Sequence, residues 1–94
     1  MSGASLSVAR DGDVVRLDGE LVFATATRAL GQARQALAAG ATRLDLAGVR
    51  RSDSAGLACV LALIAGAPRT VKIENLPEAM RALARASEVE RLLV

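Results

Sequence analysis

Residues 44–64 read LDLAGVRRSDSAGLACVLALI, in which an apolar strand passes through a polar turn into an apolar helix. Leu44 and Leu46 alternate with Asp45, which is typical of a strand with one buried face, and the strand is predicted to end at Gly48. The residues of the following helix that are spaced i, i+3, i+4 and i+7 are Leu57, Val60, Leu61 and Ile64. A strand that leads into a helix in this way indicates an α/β fold.

Upstream of this unit, the sequence predicts a β-hairpin and a first helix. Apolar and polar residues alternate on both sides of Asp11-Gly12, a pair that tolerates the positive φ of a tight turn. From residue 23 the period becomes helical, and Gly40 is the predicted stop. Gly31 lies inside this helix at a cost of about 1 kcal/mol relative to alanine, and a close packing contact is the expected reason. The predicted buried face of the helix consists of Phe23, Ala26, Leu30, Ala33 and Leu37.

Downstream, the sequence predicts a further strand and two further helical segments. Val71 and Ile73 alternate across Lys72 as a strand. Pro77 suits the first turn of a third helix, because its missing N–H is not needed there. The predicted buried face of that helix consists of Met80, Leu83 and Ala84. Residues 87–90 match a capping box with Ser87 as N-cap, which predicts a short terminal helix ending in Leu92-Leu93.

The predicted order is therefore β-β-α-β-α-β-α with a short helical tail, an α/β fold. Strands joined through helices run parallel, and the initial hairpin adds one antiparallel strand, so we expect a mixed sheet of about four strands. The 94 residues lie within the usual size of one domain, and we expect a single domain over residues 1–94. In so short a chain, the helices are expected to cover mainly one face of the sheet.

Composition excludes several classes of function. The chain has 12 basic and 10 acidic residues, and this balance leaves no basic stripe for nucleic acid. It has no histidine and one cysteine, Cys59, so that a Ser–His or Cys–His dyad and a cysteine cage for a metal are impossible. No G-x-x-x-x-G-K-[ST] loop is present to hold phosphates. We therefore expect a protein that is not an enzyme and binds no metal or cofactor.

The sequence also bears on cellular location. The N-terminus lacks the basic and apolar regions of a signal peptide. The longest uncharged stretch, Ser54 to Pro68, is shorter than the roughly 20 apolar residues of a membrane span. We expect a soluble, cytoplasmic protein with no direct membrane span. Cys59 is expected to be buried and to pack as a small apolar side chain.

Ser54 has two interpretations, both of which follow from its place at the start of the second helix. As an N-cap, it accepts a hydrogen bond from the first turn. As an exposed hydroxyl, it is a candidate phospho-acceptor, where a phosphate adds about −1.5 to −2 charges. Asp53 suits the positive end of the helix dipole, and Gly56 allows a backbone or a partner to come close.

A carboxylate site built from Asp18, Glu20, Asp45 and Asp53 is less favoured than separate, solvated acids. Asp18 and Asp45 alternate with leucines that are predicted to be buried, so both are expected to face solvent. The acids therefore offer no separate catalytic hypothesis.

The segment Asp53-Ser54-Ala55-Gly56-Leu57, between a Leu-Asp-Leu strand and an apolar helix, resembles the signature of STAS domains. Leu17-Asp18-Gly19-Glu20-Leu21 is similar to the family's L-x-G-E-L element, and the resemblance runs from about Leu6 to Leu93. It implies a four-stranded sheet with helices, a protein-interaction role without catalysis, and a structural role for Gly56 and Leu57. The partner interface that it implies consists of Arg51, Ser52, Asp53, Ser54, Ala55 and Ala58.

Two branches of the family are similar to this chain and imply different partners. In anti-sigma factor antagonists, the serine at the place of Ser54 is phosphorylated by a kinase that doubles as the anti-sigma factor. MlaB-like subunits bind the MlaF-like ATPase of a phospholipid ABC transporter, and through it the permease, in the maintenance of outer-membrane lipid asymmetry. In that case the chain lies in the cytoplasm at the inner face of the inner membrane.

The form of the motif favours the MlaB-like branch. Antagonists commonly have an apolar residue before the Asp, a second Ser or Thr before the Gly, and Gly after the Leu; here these positions hold Ser52, Ala55 and Ala58. The turns Gly66-Ala67-Pro68 and Asn75-Leu76-Pro77 are also closer to MlaB-like proteins. One departure from the family is Val22, which replaces an Asp that often follows G-E-L.

Overall fold

The computed structural model describes residues 3–93 and contains one mixed sheet with helices packed on it. Its elements are β1 (Leu6–Asp11), β2 (Val14–Leu21), α1 (Phe23–Ala38), β3 (Arg43–Ser52), α2 (Ser54–Gly66), β4 (Lys72–Glu74), α3 (Glu78–Ala86) and a terminal 3₁₀ helix (Glu90–Leu93). The predicted α/β class and the predicted order of elements are confirmed. Met1, Ser2 and Val94, which the predicted domain bounds include, lie outside the described residues.

The sheet has the strand order β1-β2-β3-β4, which follows the chain. β1 and β2 form an antiparallel hairpin, whereas β2–β3 and β3–β4 are parallel pairs. Both parallel connections step in the same direction across the sheet. Because such connections are right-handed, α1 and α2 lie on the same face, as expected for this chain. Within residues 3–93, none of the helices is long and apolar enough to cross a bilayer.

The hydrophobic core lies between the sheet and the helices. The inward residues of β2 and β3 alternate with exposed or half-buried polar ones, as their period predicts. Met80 and Ala84 of α3 are fully buried, and Leu83 is half-buried, so the predicted face of α3 is confirmed in the main. The largest fully buried side chains are Leu17, Leu21, Leu44, Leu46, Leu63, Met80, Val15 and Val60.

The predicted end of β3 at Gly48 is wrong, because the strand continues to Ser52. Its pairing with β2 shifts in register between Arg16 and Asp18 and again between Gly19 and Glu20. At each shift β3 carries one residue more than β2, so the alternation of apolar and polar residues breaks while the strand goes on. Residues 50–52, predicted to be a turn, therefore belong to the strand.

The buried face of α1 differs from the predicted one. Phe23 is 83% exposed, and the fully buried residues are Thr25, Ala29, Ala33 and Leu37. Thr25 is buried because its hydroxyl donates to Glu20 O (2.7 Å) and accepts from Val22 N–H (3.1 Å). A pattern that counts only apolar residues does not predict a buried threonine. The packing contact expected at Gly31 is absent, since a Cβ there would meet no atom within 4 Å.

The predicted capping box at residues 87–90 is also wrong. Ser87 N–H donates to Leu83 O (3.0 Å), which makes Ser87 the C-cap of α3. Glu88 follows with a positive φ of 59°, and the terminal 3₁₀ helix begins only at Glu90. Pro77 is the N-cap of α3 and lies just before the first turn in which it was expected. Glu90 pairs with Arg81 and Arg85 instead of capping a helix.

Candidate functional site

Asp53 joins the N-termini of α1 and α2. Its Oδ1 accepts a hydrogen bond from Gly56 N–H (3.0 Å), and its Oδ2 accepts one from Phe23 N–H (3.1 Å). Asp53 is therefore the N-cap of α2, and the assignment of this role to Ser54 is wrong. The reason is the length of β3: because the strand runs to Ser52, the extended residue that precedes the helix is Asp53.

The electrostatics of Asp53 follow from these contacts. Burial alone raises the pKa of this carboxyl group, but the N–H groups of Gly56 and Phe23 outweigh that effect and hold the pKa below its usual value. The side chain is therefore a carboxylate at neutral pH, with both oxygens engaged by backbone donors. Its task at this site is to fix the angle between the starts of two helices.

Ser54 occupies the first position of α2, where it is exposed. No hydrogen bond of its hydroxyl group occurs within residues 3–93. Since Asp53 performs the capping, the Ser54 hydroxyl is available at the surface for a partner or a modifying enzyme. The exposure of Ser54 agrees with the second of the two sequence interpretations, and its role as a phospho-acceptor stays a prediction.

Gly56 and Leu57 hold α2 against the sheet. A Cβ at Gly56 would overlap the carbonyl oxygen of Leu21, at the end of β2, so only glycine permits this approach. Leu57 is 4% exposed and belongs to the core. These two residues of the motif face inward, while Ser54 faces outward from the same turn of helix.

Small residues form a shallow apolar groove between α1 and α2, here called the α1–α2 groove. Its volume is about 330 Å³, and the residues that line it include Phe23, Ala26, Leu30, Ala55, Ala58 and Ala62. Ala55 and Ala58 of the predicted interface thus lie on one surface, with Ser54 beside them in the chain. Phe23 also lines the groove and presents most of its ring to solvent.

Phe23 is the residue of this surface that sequence reasoning missed. The helical period placed it in the core, but Val22 directly before it is 6% exposed and already fills the position at the end of β2. Phe23 is the single aromatic residue of the chain, and this property could have identified it from the sequence. An exposed aromatic ring beside an apolar groove is typical of a protein-binding surface.

The remaining residues of the predicted interface differ in what they present to a partner. The Arg51 side chain is 68% exposed and makes a salt bridge with Glu20 (3.2 Å). The Ser52 hydroxyl oxygen is buried and makes no hydrogen bond within the described residues, so it offers little to a partner. Arg51 and Ser54 are accordingly the polar groups that a partner can reach, whereas Asp53 is occupied by its backbone donors.

The four acids considered above for a carboxylate site do not form one cluster among the described residues. Asp45 is on the sheet face opposite the helices, where it accepts hydrogen bonds from Asn75 Nδ2 and Ala47 N–H, both at 2.9 Å. These bonds lower the pKa of Asp45, which lies on the predicted side of the strand although its side chain is only 16% exposed. Asp18 is exposed as predicted. Asp53, at the start of α2, has no contact with either.

Cys59 is buried beneath the α1–α2 groove. Burial raises the pKa of its thiol to about 11, although Arg34 acts in the opposite sense. Its Sγ lies 3.7 Å from Ala26 O. The thiol is therefore protonated at neutral pH and packs as a small apolar group, in agreement with the sequence interpretation.

A protein-family model matches almost the whole of the chain. The model is described as "Mlab, STAS domain", and it matches residues 4–94. No sequence among the curated proteins matches the chain. The matched range contains the whole of the surface described above.

Proposed function

The chain belongs to the STAS domain family, and from this premise we propose that it is the non-catalytic STAS subunit of an Mla-type phospholipid ABC transporter. In this role it binds the MlaF-like ATPase, and through it the permease, in the cytoplasm at the inner face of the inner membrane. The complex maintains the lipid asymmetry of the outer membrane. The Mlab label of the family model and the form of the motif at residues 52–58 favour this branch.

The observation that carries the proposal is the surface at the start of α2. Phe23 and the alanines of the α1–α2 groove offer an apolar centre, and Arg51 and Ser54 offer polar groups at its margin. Protein interfaces are commonly built in this way, with an apolar core and a polar rim. Aromatic residues and arginine also contribute more binding energy than other types. The proposed interface therefore keeps Arg51, Ser54, Ala55 and Ala58, adds Phe23, and leaves out Ser52 and Asp53, whose polar atoms are buried or already hydrogen-bonded.

A second function is supported by the exposed hydroxyl of Ser54. In an anti-sigma factor antagonist, a partner kinase phosphorylates this serine and so switches the interaction. A phosphate on the first residue of α2 meets the positive end of the helix dipole, but it also lies beside the carboxylate of Asp53. Phosphorylation of Ser54 would thus change the charge of the surface with little effect on the stability of the fold.

A pull-down from native cytoplasm separates the two functions. We expect the wild-type chain to recover an ABC ATPase, and Arg51→Glu to lose it with a nearly unchanged melting temperature, since an exposed ion pair contributes at most about 1 kcal/mol. The control is the double variant Glu20→Arg/Arg51→Glu, which restores the salt bridge but keeps the reversed charge at position 51. It should also fail to recover the ATPase.

Three results speak against the proposal or its details. Recovery of a kinase together with a sigma factor would assign the chain to the second function. Recovery of neither kind of partner would reject both functions. Full binding by the double variant, but not by Arg51→Glu, would show that Arg51 acts only through Glu20 and lies outside the interface.

A further inference from the structure

A second surface lies along the free edge of β4, away from the proposed ATPase interface. Within residues 3–93, β4 pairs with β3 only, so its other edge ends the sheet. A groove of about 1000 Å³ runs beside this edge, and it is lined by β4, the chain on either side of β4, the terminal 3₁₀ helix, and Ile64 of α2 and Arg81 of α3. Its apolar residues include Ile64, Ile73, Leu76 and Leu92, and Leu92 is 54% exposed.

The backbone of β4 offers hydrogen-bonding groups to this groove. Lys72 N–H donates to Thr42 O (2.8 Å), at the start of β3. In a parallel pair, alternate residues turn their backbone groups to the same neighbour, so Lys72 and Glu74 bond to β3. Ile73 therefore directs its N–H and C=O away from β3 and toward the groove. Such a pair on an edge strand is what an added strand hydrogen-bonds to.

The charges around the groove are positive. Arg69 and Lys72 line it, and neither makes a salt bridge within residues 3–93. Arg81 also lines it but pairs with Glu90 (3.2 Å), while Glu74 of β4 pairs with Arg43 of β3 (2.8 Å). Two cations thus have no acidic partner among the described residues. In an antiparallel pair of two β4 strands centred on Ile73, Lys72 would lie opposite Glu74, which already pairs with Arg43 of its own chain.

Side chains of β4 alternate between two environments. Ile73 is half-buried on the helix side and lines the groove, whereas Lys72 is exposed on the opposite side of the strand. A strand added to this edge alternates in the same way. Its residues on the helix side would meet Ile64 and Leu92, and its residues on the other side would lie beside Lys72.

We propose that the free edge of β4 binds an extended segment of a partner protein, in which apolar and acidic residues alternate, as a fifth strand of the sheet. Hydrogen bonds to the backbone of Ile73 align the bound segment along β4. Lys72 and Arg69 select acidic side chains in that segment. This binding is independent of the ATPase interface, because the two surfaces share no residue.

The test measures binding of labelled hexapeptides to the purified full chain by fluorescence anisotropy. The first probe is (Val-Glu)₃, and the control probe is (Val-Lys)₃. At low salt we expect the acidic peptide to bind at least tenfold more tightly, with a difference that narrows at high salt because the charges are solvent-exposed. Lys72→Glu should abolish most of the preference, because Arg69 then faces one acid at position 72, whereas Arg50→Glu, an exposed change on β3 outside the groove, should leave it unchanged.

A second arm tests backbone pairing without any change in the protein. Acidic peptides are N-methylated on the three valines or on the three glutamates, which blocks one or the other edge of the peptide strand. At least one of the two should lose binding by tenfold or more. This result is independent of whether Lys72→Glu folds.

Several outcomes would overturn the proposal. These are equal binding of the acidic and basic peptides, full binding of both methylated peptides, or no saturable binding of either unmethylated peptide. Binding of dodecanoate without peptide binding would assign the groove to a small amphiphile instead. Self-association in sedimentation that Lys72→Glu abolishes would assign the edge to a second copy of the chain.

Discussion

At the scale of single residues, Asp53 caps α2 and Ser54 presents its hydroxyl to solvent, whereas the sequence pattern offered both roles to Ser54. Asp53 receives the backbone N–H groups of Gly56 and Phe23 and so connects two helix starts. Ser54, one position later, is exposed. The helix cap and the proposed contact with a partner therefore lie on neighbouring residues and can be separated by substitution.

Asp53→Ala should destabilise the fold by about 1–2 kcal/mol, the upper range for loss of an N-cap, because two backbone donors lose their acceptor. Urea unfolding at pH 7 measures this loss. Asp18→Ala is the matched control, since Asp18 is exposed and accepts no side-chain hydrogen bond among the described residues. An equal loss in both variants would contradict the capping role.

The pH dependence of the same residue has a definite sign. The pKa of Asp53 is lower in the folded chain than its usual value, so the stabilisation is present above the unfolded pKa and is lost as the pH falls through the folded pKa. We expect Asp53→Asn to show a shallower loss of stability on acidification than the wild type. Urea unfolding in steps between pH 7 and acid pH compares the two, and parallel curves would contradict the expectation.

Ser54→Asp should leave the free energy of unfolding within about 1 kcal/mol of the wild type, because the serine makes no capping bond and the first turn accepts acids. Affinity for the ATPase should fall at least tenfold, since the added charge must be desolvated under the partner. Unfolding and binding are measured on the same variant. Unchanged affinity would remove Ser54 from the interface, and Ser54→Ala tests whether the hydroxyl itself contributes.

At the scale of elements, the position of α2 depends on a close contact with the end of β2. Gly56 lies against Leu21 O, and Leu57 and Val60 continue the same buried side into the core. The proposed interface forms the opposite side of this helix. A shift of α2 would therefore move Ser54, Ala55 and Ala58 together.

The same substitution at two helical glycines should have opposite effects. Gly56→Ala should destabilise the chain by about 1–3 kcal/mol, because its methyl group overlaps backbone that cannot move freely. Gly31→Ala should stabilise it by about 0.4–1 kcal/mol, because the site is open and alanine is the better helix former. Thermal and urea unfolding measure both. A stabilising effect at position 56 would mean that α2 is not held against β2 as described.

At the scale of the whole molecule, two large exposed apolar side chains among residues 3–93 mark separate surfaces. Phe23 lies at the α1–α2 groove, and Leu92 lies at the groove beside β4. The charged face of the sheet, with Arg16 and Asp45, is satisfied by its own ion pairs. The molecule thus presents two apolar surfaces and one solvated face.

Phe23→Ala should lower affinity for the ATPase at least tenfold with a change in stability of about 0.5 kcal/mol or less, as is usual for an exposed side chain. Leu92→Ala is the matched control and should leave this affinity unchanged. Calorimetric titration with the purified ATPase measures both variants. Loss of affinity in both, or in Leu92→Ala alone, would place the ATPase interface elsewhere on the molecule.

The local pattern of the sequence predicted most of the elements, because each depends on the period of its own apolar residues. Alternation indicated the hairpin, and spacings of three and four indicated the helices at residues 54–66 and 78–86. The motif at residues 53–57 indicated where the surface lies. It did so because Gly56 is required where α2 crosses Leu21 O at the end of β2, and Leu57 is required by the core, so that five consecutive residues reflect a tertiary contact.

Tertiary structure alone decided which side chain does what at that surface. The extra residues of β3 relative to β2 set where the strand ends, and this moved the cap from Ser54 to Asp53. Asn75, 30 residues along the chain, donates a hydrogen bond to Asp45 and half-covers it, and the filled position at Val22 left Phe23 outside. The role of each of these side chains depends on strand register and on partners far apart in the sequence. The spacing of apolar residues along the chain carries no information about either.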